Sequence, residues 1–175
     1  VVSAWDPGLT EAGAEIMIWR RSWIESRSSA FDGYYRRISG GRSARMSYRP
    51  NVSLESGADI AASRESFREA LEGSRDREAR RGITLVGPHR DDLRLQVCGT
   101  GDDLDFRDYG SGGQRRTAAL ALRLVEAMTI RESRSQRPMI LLDDVFAELD
   151  AGRSERILEL MEAEDTGQVV LTAPK

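Results

Sequence analysis

Apolar residues recur with a helical period along the first 35 residues of the chain. Asp6 and Pro7 form a favourable cap and first-turn pair. The apolar positions that follow fall near a spacing of 3.6 residues: Leu9, Ala12, Ile16, Trp19, Trp23 and Ala30. The pattern predicts one long helix to about Tyr35 with a single apolar stripe. For Trp19 and Trp23, one turn apart, it favours a place in the core over a contact with a ligand.

The next segments alternate between turns, a polar helix and short strands. Residues 39–54 predict a turn and then a short strand, which Pro50 limits to an edge or an end. A very polar helix follows over about 61–80, with a narrow apolar face typical of a projecting or lightly packed element. ITLV (83–86) predicts a short buried strand, and LRLQV (93–97) predicts a hairpin with LDFR (104–107).

The last third of the chain has the pattern of a parallel α/β unit. The helix after residue 113 carries apolar residues around nearly its whole circumference, which predicts burial between other elements. PMILLDD (138–144) is a continuous apolar strand, a helix follows over about 153–164, and QVVLT (168–172) is a second apolar strand. Strand, helix and strand with short connections predict a right-handed βαβ unit.

The stretch YGSGGQ (109–114) is unusually rich in small residues for a helix entry. One good cap would suffice, and each additional glycine near a helix costs roughly 1 kcal/mol relative to alanine. A helix N-terminus presents unpaired N–H groups and the positive end of the dipole, so an anion is the natural ligand. An ordinary loop-to-helix junction remains the alternative.

Two carboxylates stand where the strand PMILLDD ends. Ligands of parallel sheets bind beyond the carboxyl ends of the strands. Asp143 and Asp144 would lie there, which suits holding Mg²⁺ beside a phosphate and orienting a water. A structural helix cap is the alternative function for such a pair.

Composition narrows the possible classes of protein. A chain of 175 residues can bury a core and form one or two small domains. It contains no apolar run near the roughly 20 residues that span a bilayer, and no signal peptide opens it. Cys98 is the only cysteine and His89 the only histidine, which excludes a disulfide framework and His-rich or thiol metal clusters. A reducing, cytoplasmic setting fits best.

The net charge of −3 conceals an asymmetry between segments. Residues 20–49 carry eight arginines against two carboxylates, so the rest of the chain carries −9. Aromatic residues interleave with these arginines, which is compatible with a nucleic-acid surface. Because 25 of the 26 basic residues are arginine, codon bias and a solvated helix face explain the pattern better.

The order of these motifs resembles a known superfamily. SGGQ, a buried helix, a strand ending in DD and then AELD resemble the C-terminal half of an ABC-type ATPase head. GPHRDDL (87–93), SGGQRRTAALALRLVEA (111–127) and ILLDDVFAELDAGR (140–153), with WDPGLTEAGAEI (5–16), are similar to the RecF family of DNA repair and replication ATPases, relatives of the SMC and Rad50 heads. The resemblance implies an α/β fold, with a helical lobe II segment over 1–81 and the C-terminal portion of a P-loop NTPase head over 82–175.

The resemblance also implies roles for individual residues. The signature motif, which contacts the γ-phosphate of ATP held by the opposite protomer, is matched by Ser111, Gly112, Gly113 and Gln114. Asp143 matches the Walker B carboxylate that positions Mg²⁺. Asp144 stands where most ABC ATPases carry a catalytic glutamate; aspartate is common there in RecF proteins and consistent with slow hydrolysis. Residues 147–150, ending in Asp150, match the D-loop that crosses the dimer interface.

The chain departs from the superfamily pattern at two points. It contains no GxxxxGK[ST] P-loop; the family carries one near the N-terminus, so we expect that lobe upstream and no turnover without it. Ala173 follows the last strand where many ABC ATPases place a switch histidine, which disfavours a transporter. For His89 we favour a structural role in the GPHRDDL turn over a catalytic one.

As a whole, the resemblance implies ATP and Mg²⁺ as cofactors and an ATP-driven homodimer that closes on DNA. The DNA would be single-stranded or a gapped duplex, with recombination mediators of the RecO and RecR type as protein partners and no membrane involved. A non-enzymatic module that binds DNA or a mediator, and another ABC- or SMC-type head, remain alternatives. A P-loop in the upstream sequence would favour the ATPase.

Overall fold

The computed structural model describes residues 5–55, 57–99, 102–146, 149–164 and 167–172. In chain order the helices and strands are α1 (Asp6–Ser39), β1 (Ala44–Arg49), α2 (Ile60–Arg81), β2 (Asp92–Val97), β3 (Leu104–Asp105), α3 (Phe106–Tyr109), α4 (Gly112–Arg134), β4 (Ile140–Leu142), α5 (Ala151–Ala163) and β5 (Val169–Leu171). A 3-10 turn at Pro88–Arg90 precedes β2.

The strands form two sheets. One has the order β1-β2-β3, in which β2 and β3 are antiparallel and Gln96 pairs with Asp105. In the other, β4 and β5 are parallel, with Ile140 opposite Val169 and Leu142 opposite Leu171. The predicted hairpin and the predicted parallel pair are therefore both confirmed.

Contacts divide the chain into two compact units. The first contains residues 1–26 and 47–94, and the second contains residues 27–46 and 95–175. The units are discontinuous in sequence, whereas the sequence suggested a boundary between residues 81 and 82. We refer to them below as unit 1 and unit 2.

The core of unit 1 forms where α2 packs on the first half of α1. Met17, Val52, Phe67 and Leu71 make a buried cluster. A Cβ atom on Gly13 would lie 2.2 Å from Cε1 of the Phe67 ring, so only glycine lets the aromatic ring approach α1 this closely. Small residues on α1 thus determine which of its faces meets α2.

The predicted apolar stripe of α1 does not face the core. Trp19 is 68% exposed, so its prediction as a core residue was wrong. Leu9, on the same stripe, is 50% exposed. The buried positions lie about a third of a turn round the helix: Ala14, Met17, Ile24, Phe31, Tyr35 and Ile38. The helix carries two apolar stripes of similar period. The stripe beside Gly13 packs against α2 because the Phe67 ring can reach the backbone of α1 there.

Two strands predicted from apolar runs also differ. ITLV (83–86) is not a strand, because the Leu85 and Val86 N–H groups bond to the Glu78 carboxylate, at 2.6 and 3.3 Å, instead of to a neighbouring strand. PMILLDD contributes only Ile140–Leu142 to β4, where Ile140 is buried and Leu141 exposed. Helix α4 is buried along one side and not around its circumference, since Ile130 and Ala119 are exposed.

Candidate functional site

The signature residues form the start of α4 in unit 2. Ser111 is the N-cap: its Oγ accepts from the Gln114 N–H at 3.2 Å, and the Gln114 Oε1 accepts from the Ser111 N–H at 2.8 Å. This reciprocal pair is a capping box, which satisfies two of the orphan donors of the helix. Ser111 is exposed, Gly112 half-buried and Gly113 buried. The stretch is therefore a regular, exposed helix N-terminus as well as a candidate anion site.

The two predicted carboxylates follow β4, and Thr172 joins them from β5. The Thr172 N–H bonds to the Leu142 carbonyl at 3.0 Å, which continues the parallel pairing beyond the last strand residue. The Thr172 hydroxyl then contacts Oδ1 of Asp143 and the N–H of Asp144, the latter at 2.9 Å. Asp143 and Asp144 thus lie at the carboxyl edge of the β4–β5 pair, as the sequence predicted.

Asp144 has an unusual backbone and an unsatisfied side chain. Its φ is +49°, in the left-handed region. Its Oδ1 is buried and has no hydrogen-bond partner among the described residues. A buried carboxylate oxygen without a partner is energetically costly. Such a group is prepared to receive a ligand that supplies a donor or a positive charge.

A hydrated divalent cation fits these residues. Mg²⁺ prefers hard oxygen ligands and is usually bound by one or two carboxylates together with substrate phosphates. The exposed Asp143 supplies one such carboxylate, and the unpaired oxygen of Asp144 beside it could accept a hydrogen bond from a water. The described residues contain no group of three or more His, Cys, Asp or Glu side chains that could hold a metal unaided.

Arg116 joins the signature helix to the strand end. Its Nη1 donates to the Asp144 carbonyl oxygen at 3.1 Å. A cavity of about 160 Å³ lies here, lined by residues of α4 and of the segment after β4, including Arg116, Arg123, Asp143 and Leu149. Among the described residues, no hydrogen bond joins Ser111 or Gln114 directly to either carboxylate. The Arg116–Asp144 hydrogen bond therefore links the two motifs.

The D-loop lies partly outside the described residues, which do not include Ala147 and Glu148. Asp150 is exposed and caps α5, because its Oδ1 accepts from the Arg153 N–H at 2.9 Å. This backbone hydrogen bond lowers the pKa of the Asp150 carboxyl below its ordinary value. Asp150 therefore has a structural role as the N-cap of α5.

The sequence did not indicate Arg116 or Thr172 as site residues. A signal for Thr172 was available, because parallel strands end at the same edge and the first polar residue after β5 must lie beside those after β4. Nothing in the pattern distinguishes Arg116 from its neighbour Arg115. Its role depends on the rotation of α4 relative to β4, which only tertiary packing determines.

The GPHRDDL turn is organised around Asp91 in unit 1. The Asp91 carboxylate is 2% exposed and accepts from Arg20 Nη1 at 3.0 Å, from the Asn51 N–H at 2.9 Å and from the Tyr48 hydroxyl. Burial, and then this contact with Asp91, raise the pKa of Tyr48. His89 is exposed, with Nε2 3.0 Å from the Thr84 hydroxyl. These contacts agree with a structural role for the turn.

The arginine-rich segment is largely paired within each unit. In unit 2, Arg27 pairs with Glu132 at 2.6 Å, Arg36 with Asp32 at 2.7 Å, and Arg37 with Glu164 at 2.6 Å. In unit 1, Arg21 donates to the carbonyls of Glu55 and Ala58. Side chains that neutralise internal carboxylates and carbonyls are typical of a helix surface, which supports the solvated-face interpretation over a dedicated DNA path.

The fold is shared with ABC-type ATPase heads. The structure of an SMC head bound to the C-terminal winged-helix domain of ScpA covers 87% of this chain at a TM-score of 0.50 and 20% identity, with 35% of that chain covered. Two structures of the recombination mediator protein RecF, with ATP and with ATPrS, give TM-scores of 0.79 and 0.80 at 30% identity. They cover 98% and 99% of this chain, and 44% and 45% of theirs.

Similarity in sequence identifies a narrower group of proteins than similarity in fold. The DNA replication and repair protein RecF of Salinibacter ruber (strain DSM 13855 / M31) is 34% identical over 181 residues, covering 100% of this chain and 42% of that protein. RecF of Frankia alni (strain DSM 45986 / CECT 9034 / ACN14a) is 38% identical, covering 98% and 45%. No family model matches. The chain belongs to the RecF family and spans less than half the length of these relatives.

No helix formed by the described residues is long and apolar enough to cross a bilayer.

Proposed function

We propose that this chain is part of a slow, switch-like ATPase that binds DNA in recombinational repair and replication. The observation that carries the proposal is the strained Asp144 beside Asp143 at the carboxyl edge of β4. Its buried unpaired oxygen needs a cationic or donating ligand. Two structures of RecF, one with ATP and one with ATPrS, are similar over nearly the whole chain, which supports a nucleotide as that ligand.

In this proposal the two aspartates have different tasks. Asp143, which is exposed, would hold Mg²⁺ beside the nucleotide phosphates. When bound, Mg²⁺ would neutralise negative charge on the phosphates. Asp144 would orient the attacking water and accept its proton, and its unpaired oxygen is free of competing hydrogen bonds among the described residues.

The signature residues would act on a second copy of the protein. Ser111, Gly112, Gly113 and Gln114 form the N-terminal end of a helix of 23 residues, with the cap residue Ser111 exposed, and such an end attracts phosphate. We propose that it meets the γ-phosphate of ATP held by the partner, with Asp150 crossing the same interface. ATP would then drive a homodimer that closes on single-stranded or gapped duplex DNA, and RecO- and RecR-type mediators would bind the closed form.

Ser111→Arg in the full-length protein tests this arrangement. A bulky cation at the N-cap should obstruct the partner's nucleotide, so ATP-driven dimerisation should fall at least about tenfold while each monomer binds ATP nearly as before. Light scattering with and without ATP measures the dimer, and titration with a fluorescent nucleotide measures binding. Ser133→Arg, at the exposed far end of α4, is the matched control. An equal loss of monomer affinity would mean that the motif acts within its own subunit.

A DNA-binding measurement separates the ATPase from a non-enzymatic module. Fluorescence anisotropy with single-stranded and gapped duplex probes should give tighter binding with ATP than without it. DNA binding that is unchanged by ATP, in a protein that does not hydrolyse ATP, would favour the non-enzymatic module.

A further inference from the structure

The backbone of Asp144 needs an explanation beyond its side chain. Among the described residues, only Ser135 and Asp144 combine a side chain with a positive φ. Ser135 is the C-cap of α4, where a left-handed residue is usual. Asp144 ends no helix. A conformation of this kind persists only when the surrounding contacts determine it.

Two side chains bond to the backbone of Asp144, one to its N–H and the other to its carbonyl oxygen. The Thr172 hydroxyl has one proton, which it donates to Oδ1 of Asp143, so its lone pair accepts from the Asp144 N–H at 2.9 Å. On the other side, the Arg116 guanidinium donates to the Asp144 carbonyl at 3.1 Å. One hydroxyl therefore fixes Asp143 and Asp144 relative to each other, and one guanidinium fixes Asp144 relative to α4.

The positions of Thr172 and Arg116 in the chain determine which elements are connected to Asp144. Thr172 directly follows β5, and its own N–H is bound to the Leu142 carbonyl at 3.0 Å. Arg116 is half-buried and lies five residues after Ser111, the cap of the signature helix. A displacement of the first turns of α4 would change the distance from Arg116 to the Asp144 carbonyl. Contacts made at Ser111–Gln114 can thus reach Asp144 within the same subunit.

We propose that Thr172 and Arg116 are positioning residues that hold Asp144 in its left-handed conformation, and that Arg116 couples the signature helix to this carboxylate. The proposal rests on the proposed ATPase function for its catalytic consequence, but the conformational part stands on the contacts alone. Neither residue touches a substrate; each acts through Asp144.

The test for Thr172 uses a pair of variants in the full-length protein. Thr172→Val keeps the shape of the side chain but removes the hydroxyl, and Thr172→Ser keeps the hydroxyl. Hydrogen–deuterium exchange of the peptide containing Asp144 should become about tenfold faster in the valine variant, because the N–H loses its acceptor. The serine variant should restore slow exchange. Thr10→Val, which removes a hydroxyl bonded to the Asp6 carbonyl in unit 1, should leave this peptide unchanged.

Turnover provides the second readout. Thr172→Val should lower kcat for ATP hydrolysis about tenfold with the Kd for ATP changed less than about twofold, since a misplaced carboxylate affects the reaction more than binding. Unchanged exchange at Asp144 in a folded valine variant would overturn the proposal. If the unmodified protein hydrolyses no ATP, the proposed function fails, and the exchange measurement still decides the conformational claim.

Arg116→Met tests the coupling, with Arg68→Met as control because Arg68 is an exposed arginine paired within α2 to Glu65 and Glu72. In unmodified protein, ATP-driven dimerisation should slow exchange in the peptide containing Asp144. In Arg116→Met, dimerisation should no longer change that exchange, whereas Arg68→Met should keep the response. A full response in dimeric Arg116→Met would show that Arg116 carries no coupling.

Discussion

Two Asp-Asp pairs in this molecule have opposite chemistry. In unit 1, Asp91 of GPHRDDL is almost fully buried, and its carboxylate accepts from three donors, one on α1 and two at the end of β1. In unit 2, Asp144 of ILLDDVF has a buried oxygen without a partner among the described residues and a strained backbone. A satisfied buried carboxylate holds segments together, whereas an unsatisfied one is available for a ligand. The hydrogen bonds made by each buried carboxylate therefore distinguish the structural Asp91 from Asp144, which is available for a ligand. The two Asp-Asp pairs look alike in the sequence.

The largest expected effect tests the structural half of this comparison. Asp91→Ala removes a buried acceptor from Arg20, Tyr48 and the Asn51 N–H. It should lower the free energy of unfolding by about 3 kcal/mol, as breaking a buried pair does. Urea denaturation of the full-length protein measures the change.

A control variant accompanies Asp91→Ala. Asp144→Asn, which keeps a residue type that tolerates the positive φ, should change the free energy of unfolding by less than about 1 kcal/mol, since the unsatisfied carboxylate oxygen has no hydrogen bond to lose. A loss in Asp144→Asn equal to that in Asp91→Ala would remove the distinction between the two pairs.

The next effect tests the chemical half. Asp144→Asn keeps the size of the side chain and a residue type that tolerates positive φ, but it removes the charge and the proton acceptor. ATP hydrolysis by the full-length protein should fall at least about 100-fold, in the range usual for a general base. Steady-state turnover measures this, and thermal melting should show a fold as stable as before. Residual turnover above one tenth would indicate that Asp144 is not the base.

The smallest effect concerns a third carboxylate, Asp32, which is saturated like Asp91 but more exposed. Burial opposes ionisation, yet hydrogen bonds from the Ser43 hydroxyl and the Ala44 N–H, with Arg36 nearby, lower its pKa below the ordinary value. A folded pKa below the unfolded one contributes stability above about pH 4, which is lost as pH falls through the folded pKa. Asp32→Asn should therefore flatten the dependence of unfolding free energy on pH between about pH 5 and pH 3. An unchanged slope would exclude Asp32 as a contributor.

Prediction from sequence succeeded where local pattern determines the outcome. The parallel β4–β5 pair follows from two apolar strands joined by a helix, and Asp143 and Asp144 had to lie at its carboxyl edge. The regular N-cap at Ser111 agrees with the loop-to-helix junction that the sequence left open as an alternative. These features depend on neighbours within a few residues or on a rule of topology.

Prediction failed where packing chooses between equivalent patterns. Helix α1 offers two apolar stripes, and the absence of a Cβ on Gly13, opposite Phe67, decides which one is buried. ITLV has strand-like residues, but the Glu78 side chain takes the N–H groups that a strand would need. Arg116 became visible only when α4 and the end of β4 were brought together.

The left-handed backbone at residue 144 also limits how this position can evolve. An aspartate codon is one base change from asparagine, glycine and glutamate. Asparagine and glycine suit a positive φ but carry no carboxylate, whereas glutamate carries the carboxylate but is a poorer fit to this backbone. Each of these single-base changes thus gives up either the chemistry or the conformation. A lineage that exchanges aspartate for glutamate here must also remodel the peptide that Thr172 and Arg116 hold.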